Sequence, residues 1–367
     1  MIRVLQCVGS LGFGGSQTFI MSVYRAIDRT KVQFDFVVFP ENIKGFYQEV
    51  EQLGGKVYVC PRFSPKNAVK FVRWWHRFFK EHPQYRIIHG HVRSVASIYL
   101  QIAKQYGLRT IIHSHSTSNG SGFSAVVKSI FQRPLRNLAD YLFSCSDYAG
   151  KWLFGEKAVT LDRYKMVPNC VSCARFAYRE QARREYREKY GISDDAFVLG
   201  HIGRFREVKN HRFLVDVFAE ILSRQPNARL LLVGDGELRE QTQQYCRDKG
   251  IGEQVLFAGN QVNTEDYYAM MDVFALPSFW EGLPVCAVEA QAGGLPCILS
   301  DSITRDVQVT ELVSYESLEK GAEHWAEAVL QFVGRSRTGV SEQQLAQLKR
   351  FDSEQVAADL QAFYLSI

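Results

Sequence analysis

From one end of the chain to the other, short β-type runs alternate with helical stretches, and this alternation confines 367 residues to α/β architecture. The run 32–39, VQFDFVVF, starts with apolar–polar alternation and ends wholly apolar, as a buried parallel strand does. Residues 43–53 then read as a helix stopped by Gly54-Gly55, with a strand at 56–60. Further strands are expected at 86–89, 110–113, 141–144 and 165–167. After the turn Pro168-Asn169 and an irregular stretch to about residue 180, a second set begins, with strands at 197–202, 229–233, 254–257, 273–276 and 297–300. Between them lie helical spacings such as Phe213, Leu214, Val217, Phe218, Ile221 and Leu222. The length exceeds what one ordinary core takes. The expectation is two Rossmann-like, doubly wound parallel-sheet domains, 1–168 and 169–345, with a C-terminal helix in 346–367 crossing back to the first. Sites in such sheets lie at the carboxyl ends of the strands, so a cleft shared by two facing sheets is where chemistry is expected.

Charge narrows the partners. A net +5 is modest for this length and implies no nucleic-acid partner, but it is unevenly placed. Between Lys56 and Arg133 a single acid, Glu81, stands against more than ten lysines and arginines. No run of eighteen apolar residues occurs, so no membrane span is expected. The start MIRVLQCV is interrupted by Gln6 and enters the glycine cluster Gly12, Gly14, Gly15, which fits a first strand and phosphate-type turn better than an export signal. That reading places the protein in the cytoplasm with its eight cysteines as thiols. Cys170-Val171-Ser172-Cys173 has no second pair at zinc-ribbon spacing and reads as two thiols in a linker.

Three post-strand segments of the second domain carry the chemistry. In the first, Gly203 lets the chain turn, and Arg204 and Lys209 project from one loop. Arginine offers a fork to two phosphate oxygens, lysine a mobile point charge. The second, Ser278-Phe279-Trp280-Glu281-Gly282-Leu283-Pro284, leads into a helix through Glu289, with Pro284 suited to the first turn. Free amides at that helix start make an anion site of about half a positive charge. Glu281 precedes the helix and Glu289 follows eight residues later, so the two carboxylates can line one pocket at different depths, as ligands for sugar hydroxyls rather than phosphate. In the third, Gly234-Asp235-Gly236, backbone geometry explains the glycines.

The Arg204/Lys209 loop and the Glu281-x7-Glu289 element, opening Glu-Gly-Leu-Pro, resemble the retaining GT-B glycosyltransferases grouped as family 4, most of all the bacterial exopolysaccharide, capsule and lipopolysaccharide enzymes. The similarity runs over nearly the whole chain, through Gly14-Gly15, His113-Ser114-His115, Val167-Pro168-Asn169 and Leu299-Ser300-Asp301. Cys170-Val171-Ser172 departs from it, where many relatives carry a small residue, an aliphatic and an aspartate. The resemblance implies a GT-B fold and transfer with retention from a nucleotide sugar, UDP-linked by family prevalence. The acceptor would be a saccharide, usually lipid-linked. It implies that Gly14 and Gly15 lie opposite the diphosphate, that His115 contacts the transferred sugar, and that Glu289 holds the ribose hydroxyls. Arg204, Lys209, Gly203, Glu281, Gly282, Leu283 and Pro284 complete the donor site. His113 is expected to point into the cleft with His115, and His89 and His91 are weaker acceptor-side candidates.

Two exclusions follow. Gly12, Gly14 and Gly15 lack the third glycine of G-x-G-x-x-G, which disfavours a nicotinamide cofactor. No D-x-D motif is present, and Arg204, Lys209 and the helix end supply roughly +2.5 against a leaving group of about −2, so no metal is expected at the diphosphate. A UDP-sugar 2-epimerase is the alternative on the same architecture; it needs acid/base carboxylates in the first domain, where most of the acids, from Asp28 and Asp35 to Asp140 and Asp162, read as helix or edge positions. Finally, 66–80 reads as a helix carrying Phe71, Trp74, Trp75, Phe78 and Phe79 among Lys70, Arg73, Arg77 and Lys80. Adjacent tryptophans diverge by about 100°, so only one of the pair can centre a buried stripe. The other, beside a basic face, is expected to touch an anionic membrane.

Overall fold

The computed structural model describes residues 1–12, 14–40, 45–115 and 128–367. The chain forms two compact units: Met1–Cys170 with Arg350–Ile367, and Val171–Lys349.

The first unit is built on a seven-stranded parallel sheet in the order β3-β2-β1-β4-β5-β6-β7. Its strands are β1 (Ile2–Gly9), β2 (Val32–Val38), β3 (Val57–Val59), β4 (Ile87–Gly90), β5 (Arg109–Ser114), β6 (Tyr141–Ser144) and β7 (Tyr164–Met166). One face packs on the helix Gly15–Ala26 and on the last helix, Ser353–Ser366, through Phe19, Met21 and Tyr24 and through Val356, Leu360, Phe363 and Tyr364. The other face packs on Ala68–Glu81 and Ala96–Gln105. There Trp75 is fully buried, with its ring stacked on Phe79 at 5.4 Å and on Tyr99 at 5.3 Å.

The second unit holds a six-stranded parallel sheet, β10-β9-β8-β11-β12-β13. Its strands are β8 (Val198–Ile202), β9 (Arg229–Val233), β10 (Val255–Gly259), β11 (Val273–Leu276), β12 (Cys297–Ser300) and β13 (Val313–Glu316). All strand pairings in both sheets are parallel among the described residues. Burial on both faces explains why these strands read as nearly continuous apolar runs.

Local differences from the sequence expectation have identifiable causes. The helix expected over 43–53 spans Tyr47–Gln52, and residues 43 and 44 lie outside the described residues. The helix expected over 66–80 runs Ala68–Glu81 and is preceded by a 3-10 turn at Pro65–Asn67. Ser64 and Asn67 close that turn as a reciprocal capping box, which displaces the helix start. β13 was not expected from the sequence. It is an edge strand of mixed polarity, VSYE, paired among the described residues with β12 alone.

One buried cation ties the second unit together. Arg187 is 1% exposed, and its guanidinium donates to the carbonyls of Met270, Ser193, Asp194 and Ala196 and to Asp272 at 2.8 Å. Asp272 also takes Arg183 at 2.5 Å and the Val198 backbone N–H at 2.7 Å, so one carboxylate joins the starts of β8 and β11. Removing Arg187 leaves Asp272 to Arg183 and the Val198 N–H and takes the donor away from the carbonyls it serves, at a cost of about 1–3 kcal/mol for each buried group left unpaired. Arg187→Ala is therefore expected to lower the urea midpoint of the second unit's transition. An unchanged midpoint in denaturation followed by tryptophan fluorescence contradicts this account.

Candidate active site

Strand order places the site. β8 pairs with β9 on one side and β11 on the other, so the chain reverses its winding direction there and the loops leaving β8 and β11 emerge side by side. They are joined by a backbone bond, Phe279 N–H to Val208 O at 2.9 Å. They are joined again by the ion pair Lys209 Nζ–Glu281 Oε1 at 2.7 Å, whose side chains are 15% and 16% exposed. The Ser278 hydroxyl donates to the same carboxylate oxygen at 2.8 Å, and Ser302, just past β12, donates to Ser278 O at 3.1 Å. Burial is the largest single effect on Lys209 and acts to lower its pKa, but the charge and hydrogen bond of Glu281, together with Cys286, raise it overall. Lys209 is thus a fixed, neutralised cation and not a free one. That correction reduces the charge count made from the sequence, because Glu281 already balances one of the positive charges.

Arg204, on the same loop, is exposed, and among the described residues its guanidinium makes no hydrogen bond or ion pair. The loop is positioned from below. Gly203 donates its N–H to Val233 O at 3.0 Å, and a Cβ on it would stand 2.8 Å from His201 Nε2. Gly234, at φ +136°, lets its own backbone approach so closely that a Cβ would lie 2.1 Å from Gly203 O. The third glycine segment is thus the floor on which the Arg204/Lys209 loop rests.

The loop after β11 ends at Pro284, which precedes the helix Val285–Ala292. Gly282 is half-buried, while Leu283 and Pro284 are buried and seat the helix start. Glu289 sits within that helix, half-buried, and accepts a hydrogen bond from Tyr268 at 2.8 Å. Burial pushes its carboxyl up to about 7, against the opposing pull of the Tyr268 hydrogen bond and the Arg175 charge. Arg175 itself is paired with Glu265 at 2.7 Å. The two glutamates therefore have separate partners: Glu281 is drawn into the Lys209–Ser278 cluster and Glu289 into the Tyr268 one. Ser278, Tyr268 and Arg175 were not singled out from the sequence. Ser278, three residues before Glu281, was within reach of pattern reading. Tyr268 and Arg175 meet Glu289 only through the tertiary fold.

In the first unit the winding reverses between β1 and β4. The loop after β1 carries Gly14, which precedes the helix starting at Gly15 and is extended at φ −160°; a Cβ on Gly15 would meet nothing within 4 Å. His91 follows β4, and its Nδ1 faces His115 Nε2 at 2.8 Å. His115 follows β5, is half-buried, and has its Nδ1 within 3.1 Å of Asn169 Oδ1. Both ring nitrogens of His115 are thus engaged. His113 does not face a cleft as expected. It lies within β5, fully buried on the same face as His115, with its ring against Phe19 and Phe143, because this strand is covered on both faces and His115 stands just past its end. Two of the first unit's acids with buried or partly buried carboxylates are occupied by structural partners. Asp35 is buried against Arg3 and Tyr85, and Asp140 binds Thr110 and Lys104.

Comparison with known proteins gives consistent matches. The family model "Glycosyl transferases group 1" matches residues 182–340, and "Glycosyl transferase 4-like domain" matches residues 14–170. The chain is 34% identical to the putative glycosyltransferase EpsF of Bacillus subtilis, over 99% of this chain and 97% of that one. It is 25% identical to the UDP-Gal:alpha-D-GlcNAc-diphosphoundecaprenol alpha-1,3-galactosyltransferase of Escherichia coli, over 59% of this chain and 58% of that one. Among solved structures, Anabaena Alr3699/HepE in complex with UDP superposes with a TM-score of 0.79 at 18% identity, with both chains fully covered.

The raised Glu289 carboxyl has a consequence for stability. From 4.5 to about 7 the folded state holds the proton more tightly than the unfolded chain does, so this group's contribution declines as pH rises through that window. Glu289→Gln removes the decline. Denaturation curves at several pH values should show wild type losing about 1–3 kcal/mol relative to the variant between pH 5 and 8, partial exposure setting the lower end. A difference that stays flat with pH contradicts the raised carboxyl.

Proposed function

This chain belongs to the group 1, family-4-type glycosyltransferases of GT-B fold, and from that premise we propose that it transfers a hexose or N-acetylhexosamine, with retention and without a metal at the diphosphate, from a UDP-sugar to a lipid-linked saccharide on the cytoplasmic face of a membrane. It is an enzyme of glycan biosynthesis. The observation that carries the finer reading is the Lys209–Glu281 pair, set where β8 and β11 diverge and beside the start of the helix bearing Glu289. A diphosphate entering there competes for Lys209 and releases Glu281 to a hydroxyl of the transferred sugar. Arg204, exposed on the same loop, takes phosphate oxygens, and Glu289 with Tyr268 receives the ribose hydroxyls. The amides at Gly282 and Leu283 face the developing negative charge. The acceptor hydroxyl attacks the anomeric carbon from the side the leaving group departs. As that carbon–oxygen bond breaks, a diphosphate oxygen takes the acceptor's proton. Gly14, Gly15 and His115 are assigned to the sugar-facing side by the family resemblance. The UDP and lipid-diphosphate named for the E. coli relative, and the UDP bound by Alr3699/HepE, support this donor and acceptor class.

The assignment is tested by substitution. Glu281→Ala should abolish transfer, and Arg204→Ala, Lys209→Ala and Glu289→Ala should each weaken UDP binding about ten- to a hundredfold, the equivalent of about 1.5–3 kcal/mol for a charge-assisted contact. Calorimetric titration showing unchanged UDP affinity in the Arg204 and Lys209 variants removes them from the donor site. Transfer rates should be the same with and without added Mg²⁺ or Mn²⁺. Loss on chelation that either ion restores refutes a metal-free diphosphate.

The first unit also carries a surface suited to an anionic leaflet. Trp74 is half-buried and stacks on Phe78 at 5.0 Å, at the edge of a groove of about 770 Å³ lined by Lys66, Lys70, Arg73 and Arg77. Val69 beside them is 62% exposed. No helix among the described residues is long and apolar enough to cross a membrane. Each basic residue near an anionic surface contributes about 1 kcal/mol. The protein should therefore sediment with phosphatidylglycerol vesicles, not with phosphatidylcholine ones, and half-molar salt should release it. Equal recovery in the supernatant from both ends the docking proposal and leaves the transferase assignment intact.

A further inference from the structure

Four imidazoles crowd one face of the first unit's sheet, on the neighbouring strands β4 and β5 and the residues just past them. His113 and His115 have ring centroids 4.0 Å apart, His89 and His91 4.3 Å, His91 and His115 5.0 Å, and His89 and His113 5.4 Å. His89 and His113 are fully buried. Among the described residues, His89 Nε2 and both ring nitrogens of His113 have no hydrogen-bond partner. The backbone at Val167 acts on His113 without closing a bond. An unsatisfied buried polar group costs about 1–3 kcal/mol, which a phenylalanine in the same space would not incur. Such a concentration of unpaired nitrogens calls for a ligand.

The paired nitrogens show where that ligand belongs. His89 Nδ1 meets Tyr364 Oη at 2.6 Å, His91 Nε2 meets Gln6 Oε1 at 3.0 Å, and His115 Nδ1 meets Asn169 Oδ1 at 3.1 Å. In each ring one nitrogen is tied to an oxygen outside the cluster and the other faces inward, the outer-partner pattern that fixes the tautomer of metal-binding histidines. With the Gln6 and Asn169 amides oriented as they are, the outer nitrogens carry the protons. His91 Nδ1 and His115 Nε2 then face each other at 2.8 Å as two lone pairs, an arrangement that a shared metal ion would relieve.

We propose that His89, His91 and His113, with His115 Nε2 as fourth donor, bind one divalent transition-metal ion of the zinc class. Ligand atoms of His89, His91 and His113 lie within 4.8 Å of one another. A tetrahedral site with metal–nitrogen bonds of about 2.0–2.1 Å sets its donors about 3.3 Å apart, so binding draws the more distant rings inward and opens the 2.8 Å His91–His115 pair by about half an ångström. All four donors are imidazole nitrogens with no carboxylate among them, which disfavours a hard ion held by oxygen and charge and favours one that bonds nitrogen, as Zn²⁺, Co²⁺ and Ni²⁺ do. The ion takes no part in making or breaking the glycosidic bond; it would fix the His115 ring, which borders the proposed sugar-facing side, and stiffen the β4–β5 edge.

The test uses full-length protein without a histidine tag, stripped with chelator and titrated with Co²⁺, then Zn²⁺. One equivalent of Co²⁺ should give the visible absorption of tetrahedral nitrogen coordination, Zn²⁺ should bleach it, and the thermal midpoint should rise. His113→Phe, which keeps a ring in that space, should abolish the band, and Tyr364→Phe should weaken Zn²⁺ binding about 10- to 100-fold. His324→Ala, which removes the partly exposed His324–Glu316 pair, should leave the band in place. Absence of the band in wild type, or equal binding by wild type and His113→Phe, overturns the proposal and leaves a water-bridged or self-bonded stack. If His113→Phe fails to fold, metal stoichiometry of the His324→Ala protein decides: one ion supports the site and none overturns it. Activity lost on chelation and restored by Zn²⁺ or Co²⁺ alone belongs to this cluster; restoration by Mg²⁺ or Mn²⁺ speaks against the metal-free transfer instead.

Discussion

The Lys209–Glu281 ion pair organises the second unit's chemistry, because it spans the point at which the sheet changes its direction of winding. A doubly wound sheet leaves a crevice there, and the loops bordering it have no strand ladder to hold them. In this chain the missing ladder is replaced by one backbone hydrogen bond, one ion pair and two serine hydroxyls. Each is modest in strength and each is open to exchange by a ligand carrying phosphates and hydroxyls. The stiff part lies beneath: Gly234 packs backbone against backbone under Gly203, and Arg187 with Asp272 fastens β8 to β11 at their other ends. Rigid strands below and an exchangeable pair above make a site that can bind without first being built.

The two units answer the same topological problem with opposite chemistry. At the reversal in the second, the loops bring an exposed arginine, a paired lysine and two glutamates. At the reversal in the first, they bring glycines and neutral imidazoles. Equivalent strand order fixes where functional groups can stand and leaves open which groups they are. That freedom is why architecture alone does not identify a reaction.

Legibility from sequence followed how local each signal was. The strands at 141–144, 229–233, 273–276 and 297–300 stand where their apolar runs end, since a buried parallel strand announces itself within its own few residues. β13 did not, because VSYE gains its strand character from β12 alongside it. The loop carrying Arg204 and Lys209 and the Glu281-to-Glu289 element could be picked out because their residues are close in sequence. Their pairing could not. Lys209 and Glu281 meet across two βα units, and Tyr268 reaches Glu289 from another helix. His113 shows the reverse error: a polar residue near a strand end reads as functional, yet it lies inside a strand covered on both faces, where its nitrogens have no partner among the described residues.

The helix Ser353–Ser366 belongs to the first unit, although the whole second unit separates it from the rest of that unit. Synthesis therefore runs out of step with assembly. When Val171–Lys349 has emerged from the ribosome it has every residue of its own core, and it can complete its fold while the older first unit still waits. Until Arg350–Ile367 emerges, Phe34 and Phe143 lack the cover of Tyr364 and Phe363, and the part of that sheet face beyond the helix Gly15–Ala26 stays open to water. The unit begun first is thus completed after the other, and a nascent chain stalled before Ser353 would present that face to chaperones.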